Sequence, residues 1–66
     1  MNRLTIEEVR ELLGAKKLPG SPEELNVLIE WTQDILEDKG RDYLRKHRKT
    51  LYGRWKYMLQ FGISRV

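Results

Sequence analysis

The chain has no cysteine and only one histidine among its 66 residues. No disulfide can brace the fold, and no thiolate cluster can hold zinc or an iron–sulfur group. The lone histidine, His47, would have only carboxylates to share a metal with, and its neighbours Arg45, Lys46, Arg48 and Lys49 repel a cation. No metal and no cofactor are therefore expected, and His47 is expected at a helix boundary. Long apolar runs are also missing. Nothing approaches the roughly 18 residues of a membrane span, and the opening MNRLTIEEVR has acids where a signal peptide has its apolar region. No membrane partner is expected, and the cytoplasm is the expected compartment. The five glycines stand apart, at Gly14, Gly20, Gly40, Gly53 and Gly62, so no glycine-rich phosphate loop is present. There is no nucleophile–base arrangement, and so small a chain has no room for a pocket that would perturb a carboxylate pair. We expect no enzyme, no catalytic residue and no small-molecule substrate.

Acids all but run out after residue 40. Residues 1–40 carry nine acids against five Lys or Arg, a net charge of −4, whereas residues 41–66 carry eight Lys or Arg against Asp42 alone, a net of +7. Such asymmetry points to an anionic partner, unless the two parts neutralise each other within one fold. The 39% hydrophobic content and two tryptophans argue for a folded chain despite 35% charged residues. One helical domain over residues 1–66 is expected, with a stability of roughly 3–5 kcal/mol.

Three helices are legible. Thr5-Ile6-Glu7-Glu8 has the form of a capping box, with Leu4 and Val9 placed as a hydrophobic staple. Ile6, Val9 and Leu13, flanked by Leu12, then share one face up to Gly14, which predicts a short helix over about 5–14. The stretch TIEEVRELLG resembles the first helix of small helix-turn-helix proteins of the excisionase and MerR type. That family would place a recognition helix three or four residues later. This chain departs from it, with a longer linker through Leu18-Pro19-Gly20 and then an acidic helix. Leu18 is expected to plug the core from that linker.

Ser21-Pro22-Glu23-Glu24 opens the second helix, with Ser21 as N-cap, Pro22 in the first turn and Glu24 closing a second capping box. Leu25, Val27, Leu28, Ile29, Trp31, Thr32, Ile35 and Leu36 give it an apolar arc of roughly 200° at about 100° per residue. It is predicted over 22–39. The wide arc suits a central helix, and Val27 and Trp31 are the candidate patch for a partner helix or a homodimer. The third helix is predicted over 42–61, capped by Asp42 and folded back on the second as an antiparallel hairpin through Gly40-Arg41. The alternative is one long helix kinked at Gly40. Leu44, Leu51, Trp55, Met58 and Leu59 form the inner face of the third helix, and Gly62 with Ile63 forms its terminus. The expected architecture is all-α: a short N-terminal helix packed on a hairpin of two longer ones.

Two features of residues 41–61 carry functional weight. Arg45, Lys46, Lys49 and Lys56 project from the outer side with Tyr52 and Tyr57 beside them, the chemistry that neutralises phosphates and stacks on unpaired bases. Arg48 falls within the apolar face, where a guanidinium is expected to find a structural ion pair. Arg54 is expected to pack its stem and keep its head wet. Gly53, opposite the apolar face, either weakens the helix by about 1 kcal/mol or admits another backbone. The leading functional expectation is a protein–protein interaction module or accessory subunit, homodimeric through helix two. The alternative is a nucleic-acid-binding protein using the basic face of helix three.

Overall fold

The computed structural model describes residues 3–62, and among them every regular element is a helix: α1 (Ile6–Leu13), α2 (Pro22–Lys39), α3 (Arg41–Lys46) and α4 (Arg48–Phe61). Both capping boxes form. The Glu8 and Glu24 amides donate to the hydroxyls of Thr5 and Ser21 at 3.2 Å, and each glutamate accepts from the cap amide at 2.8 Å. Gly14 ends α1 in the left-handed region at φ 69°, with its N–H donating to the Glu11 carbonyl. A side chain would be strained at that angle.

The core takes residues from every element: Leu4, Val9, Leu12 and Leu13 around α1, Leu18 from the linker, Leu28 from α2, Leu44 from α3, and Leu51 and Trp55 from α4. Leu18 is the plug expected of it. Its segment is pinned from outside, because the Trp55 Nε1 donates to the Pro19 carbonyl at 3.0 Å and the Tyr52 hydroxyl to the Lys17 carbonyl at 3.4 Å. The Pro19 carbonyl, part-buried beside the core, is satisfied by a side chain 36 residues away.

The expected third helix is two. His47 leaves helical geometry at φ −107° and ψ 20°, and the chain turns there between α3 and α4. The apolar residues on both sides keep a helical period, so periodicity cannot reveal the break. Charge can. Arg45 with Arg48, Arg45 with Lys49 and Lys46 with Lys49 would be like-charge neighbours on a straight helix, each destabilising by about 0.2–0.5 kcal/mol.

Breaking the helix also changes how it packs. α2 lies mainly on α3, whereas α4 turns away onto α1. The antiparallel hairpin of two long helices is therefore not formed. α1 and α3, the two shortest elements, each pack on all three other helices, and α2 buries only Leu28 and Thr32 completely. Asp42 does not cap α3. The N-cap is Gly40, at φ 94° and ψ 168° with no side-chain cap, and Asp42 stands in the first turn. Ile63, expected at the terminus of the third helix, lies outside the described residues.

Candidate functional site

The bend at His47 divides the expected basic stripe between two helices. Arg45 and Lys46 occupy the last turn of α3, where cations face the carbonyl end of the helix dipole. Lys49, Lys56 and Tyr57 are exposed on α4, while Tyr52 is half-buried. Tyr52 is thus a strut that holds the linker rather than a free aromatic surface, with the Lys56 Nζ 5.0 Å from its ring centre.

Two rows run along α4 at four-residue spacing. Arg48, Tyr52 and Lys56 form the row against the linker. Lys49, Gly53, Tyr57 and Phe61 form the row turned to solvent. The first row does what the sequence alone could not announce. Arg48 lies over the end of α1, so close that a Cβ on Gly14 would meet its Cδ at 3.1 Å. Tyr52 meets the backbone of Lys17 three residues further on. The linker backbone at Lys17 is thereby held against α4, and the Arg10 guanidinium steadies that segment by donating to the Lys16 carbonyl at 3.3 Å. In the sequence these two lysines read only as partners for the end of the first helix. Some thirty residues separate them from Arg48, and no local pattern links them.

Arg48 itself is a correction. It is exposed, and among the described residues no carboxylate forms the ion pair expected of it. The turn at His47 carries it off the apolar face to the rim of α1, where its head stays in water. The same holds for the whole basic segment. The ion pairs among the described residues are Arg3 with Glu30 at 3.6 Å and Lys39 with Asp38 at 3.8 Å. Neither involves Arg41, Arg45, Lys46, Arg48, Lys49, Arg54 or Lys56. The acidic and basic parts of the chain do not neutralise each other side chain by side chain.

The remaining expected residues fall elsewhere. His47 sits half-buried at the helix joint, its ring 4.4 Å from that of Tyr43. Val27 and Trp31 are half-buried against the core rather than a fully open patch. Trp31 also borders an open groove of about 320 Å³ with Ile35, Tyr43 and Leu51, rimmed by Asp34 and Arg54. Glu30, Asp34, Glu37 and Asp38 are exposed along α2. No cluster of three or more metal-ligating side chains occurs among the described residues, and no helix among them is long and apolar enough to cross a membrane. Comparison with protein-family models, with curated proteins and with solved structures finds no match.

Proposed function

We propose that the protein binds nucleic acid through the basic surface formed by α3 and α4. One observation carries this reading: among the described residues, the cations of 41–62 are exposed and have no carboxylate partner within the chain. Unpaired lysines and arginines hold a counterion atmosphere that a phosphate backbone displaces. A surface meant only for solubility would gain by interspersing acids, and this one has Asp42 alone. Such charges act on the phosphate backbone, so the recognition proposed is of the backbone.

The test is a titration of the protein at low salt with labelled DNA and RNA, single- and double-stranded, beside polyglutamate as an acidic polypeptide. Micromolar binding to nucleic acid that fades steeply with salt and is lost in Arg45→Glu/Lys49→Glu supports the reading. Equal or tighter binding of polyglutamate, or no binding at all, rejects it.

A second reading, an interaction module or homodimer using helix two, draws support from Trp31. Its half-exposed indole borders the groove between α2 and the α3–α4 arm, and an interface prefers such aromatic anchors. Sedimentation separates it from the first: a concentration-dependent dimer abolished by Trp31→Ala supports it, and a monomer across the range removes the homodimer.

A further inference from the structure

The outward row of α4 changes character along its length. Lys49 begins it, Gly53 leaves a gap, and Tyr57 and Phe61 end it, 62% and 65% exposed. These two aromatics pack on each other. Their ring centres lie 4.4 Å apart at an interplanar angle of 36°, so each ring limits the other's motion. Phe61 covers the C-terminal side of Tyr57. Helical side chains lean toward the N-terminus, so the other side of Tyr57 is turned toward Gly53, where a Cβ would meet nothing within 4 Å. Lys49 lies one turn before that gap and Lys56 three residues after it.

We infer that this gap is a stacking site for an unpaired base, and that the protein's nucleic-acid target is single-stranded. The inference rests on the reading proposed above and adds the substrate class to it. In a duplex the base faces are stacked on their neighbours, so an exposed ring gains a face only by unstacking a step at a cost of about a few kcal/mol. In a single strand every base has a free face, and an aromatic ring beside a phosphate-binding cation takes both parts of a nucleotide. Lys49 and Lys56 flank the gap to hold the phosphates, the open backbone at Gly53 admits the base edge, and Tyr57 supplies the face. Stacking of this kind is tolerant of sequence.

The experiment compares binding of an oligothymidylate of about 12 nucleotides with that of a duplex of equal length, by fluorescence anisotropy at fixed salt. The unaltered protein is expected to favour the single strand. Tyr57→Ala/Phe61→Ala is expected to weaken single-strand binding about tenfold and to leave duplex binding and the salt slope unchanged. Gly53→Leu fills the gap without removing charge and favours the helix, so it controls for unfolding; it is expected to weaken single-strand binding as well. Equal affinity for strand and duplex, or aromatic and Gly53 variants that bind the strand as the parent does, overturns the inference and leaves the basic-surface reading standing. Failure of both probes to bind overturns both.

Discussion

At the scale of single residues, burial and hydrogen bonding decide what each side chain is for. Trp55 is fully buried and its indole N–H is satisfied by Pro19, so it belongs to the fold and not to a ligand. Thr32 is the opposite case. It is 1% exposed, and its hydroxyl has no hydrogen-bond partner among the described residues. A buried hydroxyl left unpaired carries an uncompensated desolvation cost, and an apolar side chain of the same shape does not. Thr32→Val is therefore expected to raise stability by about 1 kcal/mol, read as a higher denaturant midpoint with an unchanged slope. The apolar pattern of α2 already placed Thr32 on the inner face. What the pattern could not show is that its oxygen meets no acceptor there, because that depends on which neighbours arrive.

At the scale of elements, local chemistry was the legible part. The two capping boxes, Pro22, Gly14 and the span of α2 stand where residue identity alone puts them. The joints were less legible. Gly40 holds φ 94° and ψ 168°, a region essentially reserved for glycine, and turns α2 sharply into α3. Gly40→Ala is expected to cost about 1–3 kcal/mol, seen in chemical denaturation, although a Cβ there would touch nothing within 4 Å. The His47 break was hidden because Leu44, Leu51 and Trp55 keep a helical period across it, and because like-charge repulsion is weak for each pair. α4 consequently starts with Arg48 and Lys49 and has no acid in its first turn, against the helix dipole. Lys49→Glu removes one of these cations and places an acid at the positive end. We expect it to gain about 0.5–1 kcal/mol of stability while weakening nucleic-acid binding. Thermal melts and a binding titration on the same preparation check both halves.

At the scale of the whole molecule, the separation of charge survives folding. α2 displays Glu30, Asp34, Glu37 and Asp38, and the α3–α4 arm displays cations with no acidic partner among the described residues. The sequence revealed the asymmetry in charge but not whether folding cancels it, since that depends on which faces meet. Nor could it reveal that the linker backbone at Lys17 is held against α4. The extents of 28 × 24 × 23 Å bound what such a surface can engage. A strand crossing 24 Å passes at most about seven phosphates at roughly 3.4 Å each. The central claim is that this free basic surface binds a nucleic-acid backbone. Its most direct test is the slope of log K against log salt for a labelled single strand. We expect a slope between about −2 and −5, made shallower by about 1.4 in Lys49→Glu/Lys56→Glu, as two lost phosphate contacts require. No binding at the lowest salt, or a slope that the paired substitution leaves unchanged, would contradict it.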